Sequence, residues 1–361
     1  MASRFGKHLS VSLFGQSHGE AIGVVVDGLP AGFSVDADAL ARFMARRAPG
    51  HSPLTTPRRE ADAPEFLSGL VDGKTCGAPL CAVIRNTNTR SGDYAELLDL
   101  PRPSHADYPA FVKYGGAADM RGGGHFSARL TAPLCVAGGI ALQMLRARGI
   151  TVGAHLASVG GAADDPFDPV AVDAETLLAP GKKALAVLDD AAGERMAQII
   201  EAAAADDDSV GGVVECAAVG LPAGIGDPIF DGVENRLAAT IFGIPAVRGV
   251  EFGTGFAAAG MRGSEHNDPY RMENGRVVTE TNHAGGVVGG ITTGMPLLLR
   301  VAFKPTPSIG KPQRTVRLST GENAPLSVRG RHDPCVVLRA VPCVEAAVAL
   351  TLLDMIMEDA L

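Results

Sequence analysis

Residues 10–32 read SVSLFGQSHGEAIGVVVDGLPAG. Apolar residues alternate or run together as far as Asp27 and stop at DGLPAG, where glycine and proline close a strand with a tight turn. A similar unit, CAAVGLPAG, recurs at 216–224. It suggests a strand and turn used twice, although two Gly-Pro turns of this length also arise by chance. Working outward, the short apolar runs at 80–86 and 296–303 read as further strands. Helical spacing appears at 36–47, where Leu40, Phe43 and Met44 share a face, and again at 133–148, 192–205, 229–242 and 343–359. Strands and helices therefore alternate loosely. Residues 160–190, rich in Ala, Asp, Gly and Pro, read as a surface excursion and not as a domain boundary. Chemically suggestive motifs lie on both sides of it, which places the site at a junction between two halves of one folded unit.

At 361 residues and 46% hydrophobic content the chain can bury one large core or two moderate ones. Its 32 basic residues stand against 40 acidic ones, which argues against a general grip on nucleic acid; an anionic ligand must meet local arginines. The start, MASRFGKHLS, has no long apolar stretch, so no secretory signal and a cytoplasmic location are expected. Residues 344–357, VEAAVALTLLDMIM, are interrupted by Glu345 and Asp354 and are too short for a bilayer core of about 30 Å, so no membrane partner is expected and the segment reads as a buried helix. Cys76, Cys81, Cys135, Cys216, Cys335 and Cys343 show neither CxxC nor zinc-ligand spacing. They read as small core residues, with no disulfide and no metal.

Several motifs carry chemistry. In GQSHG, 15–19, small neighbours leave the His18 ring room to meet a ligand; the plainer alternative is a histidine satisfied by backbone groups. RRAPGHS at 46–52 and TTPRRE at 55–60 hold Arg46, Arg47, Arg58 and Arg59 in two pairs, suited to forking phosphate or carboxylate oxygens or to forming a solvated cationic face. RPSHADYPAFVKYGG at 102–116 and DMRGGGHFSARLTAP at 119–133 bring His105, Arg121, three glycines, His125, Ser127 and Arg129 into one block. Glycines let a ligand approach the backbone, and Thr131 and Pro133 open a helix whose first amides suit an anion. No GxGxxG with a following acidic residue is present, so no dedicated nicotinamide domain is read. HAGGVVGGITTG occupies 283–294, and KPTPSI at 304–309 offers Lys304, Thr306 and Ser308 to a terminal phosphate, or else is a proline-bearing edge strand. GRHDPC at 330–335 sets Arg331, His332 and Asp333 ahead of the last helix, where Arg331 and Asp333 also suit a plain ion pair.

In this order, GQSHG, RRxPG, TTxRRE, RPSHAD, KYGG, GGGxxSAR, AGGxxGGI, KPTxSI and GRHDPC resemble chorismate synthase over nearly the whole chain. The resemblance implies an α+β fold, a β-α-β sandwich in a single domain over residues 1–361, usually assembled as a homotetramer. It implies a lyase that binds reduced flavin mononucleotide (FMN) and converts 5-enolpyruvylshikimate 3-phosphate into chorismate and phosphate without net oxidation. By the same resemblance His18 is the acid near the leaving phosphate, His105 the histidine that protonates the reduced flavin, and Asp333 the acid-base partner beside flavin N5. The flavin is expected against His125, Phe126, Ser127, Ala246, Gly289, the segment Lys304, Pro305, Thr306, Pro307 and Ser308, and Arg331. The substrate is expected against Arg46, Arg47, Arg102, Arg129 and Arg331. The chain departs from the family pattern at Gln16, Ala48, Pro53, His125 and Phe126, which removes two or three cationic contacts. Reduced flavin is expected from an external flavin reductase or another source. Two other readings stand beside this one: a flavin-dependent reductase sharing the cofactor site, which lacks a place for a dinucleotide, and a non-catalytic binder of phosphorylated ligands, which has no use for proton carriers.

Overall fold

The computed structural model describes residues 3–50, 54–56, 60, 62–87, 96–328 and 333–359. Its architecture is α+β, with two five-stranded antiparallel sheets enclosing a layer of helices. The first sheet contains β1 (Arg4–Phe5), β2 (Ser10–Gly15), β3 (Ala21–Asp27), β4 (Glu65–Ser68) and β5 (Leu80–Arg85), in the order β1-β2-β3-β5-β4. The second contains β6 (Thr151–Val159), β7 (Ala162–Ala163), β8 (Gly212–Val219), β9 (Val247–Phe252) and β10 (Leu297–Phe303), in the order β7-β6-β8-β10-β9.

Four strands of each order share one topology, β2-β3-β5-β4 and β6-β8-β10-β9; the remaining edge strands differ, β1 preceding its neighbour in the chain and β7 following it. The similar segments at 24–32 and 216–224 take the same place in each half, as the central strand, β3 or β8, and the turn that follows it. Gly28 and Gly220 open those turns with φ of 92° and 83°. A Cβ on either would sit 2.2 Å from a carbonyl oxygen, that of His8 before β2 or that of Gly149 before β6. Each turn therefore requires glycine, for the same reason in both halves.

The helices are α1 (Ala37–Arg47), α2 (Asp107–Tyr114), α3 (Thr131–Arg146), α4 (Ala174–Leu178), α5 (Asp190–Ala205), α6 (Val233–Ile241), α7 (Gly263–His266) and α8 (Val337–Asp359). Asp36 caps α1, accepting from the Ala39 amide at 2.8 Å, and the expected face of Leu40, Phe43 and Met44 is buried. α3 packs on β3 and β5, α8 packs on β6 and β8, and the two helices lie against each other. They approach so closely that a Cβ on Gly138 would lie 2.2 Å from that of Ala346. Apolar residues of both sheets and of the helix layer form one continuous buried core. The stretch 121–146 and α8 are long and apolar enough to cross a membrane, and both are mostly buried here.

The structure corrects several boundaries. The run 10–27 is a hairpin, with residues 16–20 turning between β2 and β3. α6 starts at Val233 because Pro228 and Gly232 delay it. α8 starts at Val337, so Pro342 lies inside it and removes one backbone donor; burial of residues such as Ala340, Val344 and Ala347 holds the turn regardless. β6, β9 and α2 carry weak or mixed periodicity and are not among the expected elements, and β8 is anticipated only by the repeat unit at 216–224. Residues 160–190 are a cover: Phe167, Val172 and Leu177 pack on Ala217 and Leu298 on the outside of the second sheet. Of the cysteines, Cys76 is exposed and Cys81 half-buried, since their short loop and strand edge face outward; the other four are in the core.

Candidate active site

The hairpin turn between β2 and β3 sets His18 against the glycine run. The Ser17 amide donates to the Gly124 carbonyl at 3.1 Å, and Asn86, just beyond β5, donates to the carbonyls of Gln16 (3.1 Å) and Gly19 (2.9 Å). Gly122, Gly123 and Gly124 all have positive φ. A Cβ on Gly122 would lie 2.2 Å from the His18 ring, and one on Gly123 would lie 3.4 Å from His105 Nε2. Two consecutive glycines thus pack against the two histidines, and only a bare backbone permits the close contact with His18.

His105 is oriented by α2. Its Nδ1 lies 2.7 Å from Asp107 Oδ1 and 3.1 Å from Arg102 Nη2, and Nε2 faces the glycines. Burial holds the His105 pKa below its ordinary value; Asp107 opposes this, and the charges of Arg102 and Lys304 reinforce it. Arg102 grips Asp107 with two nitrogens, Nε to Oδ2 at 2.7 Å and Nη2 to Oδ1 at 2.8 Å, and its Nη1 donates to Ser308 Oγ at 3.0 Å. Although burial works against ionisation, hydrogen bonds from Arg102 and His105 hold the Asp107 carboxyl well below the usual range. The 102–107 motif is thereby tied to the 304–308 segment. Lys304 Nζ donates to the Ser104 carbonyl at 3.0 Å, and its backbone amide donates to that of Ala246 at 3.0 Å. Its pKa is lowered by burial and by Arg248, a second cation that sequence reasoning did not single out.

A buried arginine network forms the adjoining wall. Asp62 accepts from Arg47 Nη1 at 2.6 Å and from Arg129 Nη1. Arg47 is completed by Thr131 and the Ala128 carbonyl, and burial of its charge is outweighed by Asp62, so its pKa is raised. Arg129 bonds through Nε to Asn86 at 3.2 Å and also approaches Glu60. Its pKa is lowered by burial and by the like charge of Arg47, and its buried Nη2 has no partner among the described residues. Thr306 Oγ1 is likewise buried without one. Asp62, Ser104 and Ala246 hold left-handed φ of 49°, 56° and 75°, so backbone strain collects around the cluster.

His18, His105, Ser127, Arg47, Arg102, Arg129, Ala246, Lys304 and Ser308 are thus joined through direct bonds or shared neighbours. Asp333 joins through Arg339, whose Nη1 donates to Oδ2 at 3.0 Å. Arg46 does not join. It lies about 100° round the helix from Arg47 and forks Glu345 on α8 at 2.7 and 2.8 Å. His125 has both ring nitrogens engaged, by Ser3 Oγ and the Gly15 carbonyl, each at 2.7 Å, while Phe126 packs near Tyr114. Gly289 tips a hairpin bonded to residues 225–233 and shares no hydrogen bond with the cluster. Arg58, Arg59, Arg331, His332 and Pro53 lie outside the described residues. Sequence reasoning missed Asp62, Asn86, Asp107, Arg248 and Arg339. Asp107 alone had a signal, as the last residue of RPSHAD.

Lys304, together with the Thr306 hydroxyl that is buried without a partner among the described residues, has the chemistry to hold a cofactor's terminal phosphate.

The family model described as Chorismate synthase matches residues 9–357. Proteins named chorismate synthase from Lancefieldella parvula, Korarchaeum cryptofilum and Thermococcus kodakarensis are 49%, 47% and 47% identical to this chain. The alignments span 98%, 98% and 97% of this chain and 96%, 97% and 96% of theirs. A solved structure titled "Crystal Structure of Chorismate Synthase" superposes with a TM-score of 0.77 at 27% identity, covering 98% of this chain and 93% of that one.

Proposed function

The chain belongs to the chorismate synthase family, lyases of the shikimate pathway, and from that premise we propose that it eliminates phosphate from 5-enolpyruvylshikimate 3-phosphate with reduced FMN bound. The observation that carries the reading is the pair of histidines facing Gly122 and Gly123, with buried arginines beside them. In the reaction one C–H and one C–O bond break, a C=C bond forms, and phosphate leaves with the C–O electron pair. The flavin, when bound, lends electron density to the allylic system and is returned unchanged.

The protein's own part is positioning and proton transfer. The two carboxylates and one phosphate of the substrate call for a cationic wall, supplied by Arg102 and by Arg129, whose free Nη2 suits an anion oxygen; Arg47 braces that wall through Asp62, and Arg331 remains in the proposed set. Arg46, committed to Glu345, contributes charge at longer range only. His18 donates to the departing phosphate, whose second pKa of about 6 lies close to that of an ordinary histidine at about 6.5. His105 presents Nε2 to the glycines while Asp107 and Arg102 hold the ring through Nδ1. Asp333 takes up the proton released from the substrate ring. Ser127, Phe126, Ala246 and the 304–308 segment line the proposed flavin site; His125, held by Ser3 and Gly15, supports it from behind, and Gly289 belongs to it only if another subunit or a loop movement brings it close.

We also read the protein as a single catalytic unit that works in the cytoplasm, takes reduced flavin from an external source and assembles as a homotetramer. The last is supported by Phe230, Phe256 and Tyr270, exposed to 89%, 84% and 69% in the second half. The test is anaerobic: mixing the protein with dithionite-reduced FMN and 5-enolpyruvylshikimate 3-phosphate should give equal amounts of phosphate and chorismate with the flavin still reduced. One flavin oxidised per product would favour a reductase, and binding without phosphate release would favour a non-catalytic binder.

A further inference from the structure

Asp333 lies just ahead of α8, and two groups fix its carboxylate. The Cys335 amide donates to Oδ1 at 3.3 Å, and Arg339, in the first turn of α8, donates from Nη1 to Oδ2 at 3.0 Å. The same guanidinium donates from Nε to the Arg47 carbonyl at 3.0 Å. That carbonyl belongs to the last residue of α1 and is one of the acceptors a helix C-terminus leaves unpaired, where a cation is favoured. One rigid plane thus bonds to both partners, and a flexible ammonium could not hold both in the same way. From Asp333 the chain of contacts runs through Arg339 to the end of α1, then by the Arg47 side chain to Asp62 and Arg129.

We propose that Arg339 is a positioning residue for the Asp333 carboxylate, fixing its orientation and coupling it to the arginine wall that meets the substrate anion. Arg339 is a strained cation: burial and the like charge of Arg47 lower its pKa, and Asp333 opposes them. The pairing therefore serves both partners, and losing either leaves the other misplaced.

The proposal rests on the proton-transfer role given to Asp333 above, and the experiment separates the two. Single-turnover phosphate release from 5-enolpyruvylshikimate 3-phosphate is measured with saturating reduced FMN for Arg339→Met, Asp333→Asn and the double variant, per folded, flavin-loaded subunit. Arg339→Met is expected to slow release by about 10- to 100-fold, the range for partners that orient a reacting group, with little change in substrate KM. In the Asp333→Asn background the same change should cost less than about threefold, because the residue acts through Asp333. Arg339→Lys, which keeps the charge but not the plane, should restore part of the rate. Equal losses in both backgrounds, or a change in stability and KM with the rate intact, would overturn the positioning role. A wild-type rate for Asp333→Asn alone would instead sink the role of Asp333, and the proposal with it.

Discussion

In the first sheet residues 16–20 join β2 to β3 and carry His18; in the second, residues 160–211 join the equivalent strands, β6 and β8, and carry a cover. The histidines of the two halves differ in the same way. His105 is beside one carboxylate and two cations, and burial holds its pKa down. His155 on β6 is fully buried between Asp164 at 2.8 Å and Glu215 at 2.9 Å, and these carboxylates overcome burial and raise its pKa. Asp164 also accepts from the amides of Leu188 (2.6 Å) and Asp189 (2.9 Å), and Glu215 from that of Phe167 (2.7 Å), so the cluster clamps the cover to the sheet. Across the second sheet His155, Glu215, Arg300 and Glu251 stand opposite one another in register as alternating charges. One sheet plan thus serves twice. The short β2–β3 turn holds His18 against the glycine run, whereas the long β6–β8 connection uses up its polar groups in closing the surface.

The largest expected effect lies in the first half. His18→Ala should slow phosphate release by about 10²- to 10⁴-fold while fold and flavin affinity hold, the usual result of losing one positioned acid-base group. A near-native rate per folded, flavin-loaded subunit would remove the distinction drawn between the halves and shift suspicion to His105. The segment contributed by the second half should matter through binding instead. Lys304→Ala is expected to weaken flavin affinity by about 1–3 kcal/mol, as for one charge-assisted hydrogen bond, with a smaller change for substrate; unaltered fluorescence titration would make KPTPSI a plain edge segment.

The smallest effect is one of pH. His155 has a raised folded pKa, so the stability it adds is fully present below its unfolded value of about 6.5 and fades as pH rises through the folded value. His105 has a lowered one, so its contribution runs the other way and stability falls as pH drops below about 6.5. Urea unfolding of wild type and His155→Gln should therefore show a stability gap that narrows as pH rises from about 6 to 9. A gap that widens over this interval would contradict the doubly paired imidazolium.

Much of this was legible in the sequence where one residue type leaves few options. GQSHG, the GGG run and RPSHAD place histidines beside glycine backbone, and the helical face of Leu40, Phe43 and Met44 is readable from spacing. The repeat at 24–32 and 216–224 was visible but ambiguous until Gly28 and Gly220 were seen to meet equivalent carbonyls. Asp62, Asn86 and Arg339 were not legible, because their meaning lies in partners far off in the chain. The different fates of Arg46 and Arg47 follow from helix rotation, which decides which of two adjacent arginines faces the site.

The most direct test sets half-buried His105 beside buried His155: single-turnover phosphate release per folded subunit and urea stability, measured on His105→Ala and His155→Ala. The account predicts that His105→Ala loses about 10²- to 10⁴-fold in rate with little loss of stability. His155→Ala should lose about 3–5 kcal/mol of stability, as when one partner of a buried charge cluster is removed, while its folded fraction turns over normally. The reverse pattern, or equal losses of both quantities in both variants, would contradict the division of labour between the halves.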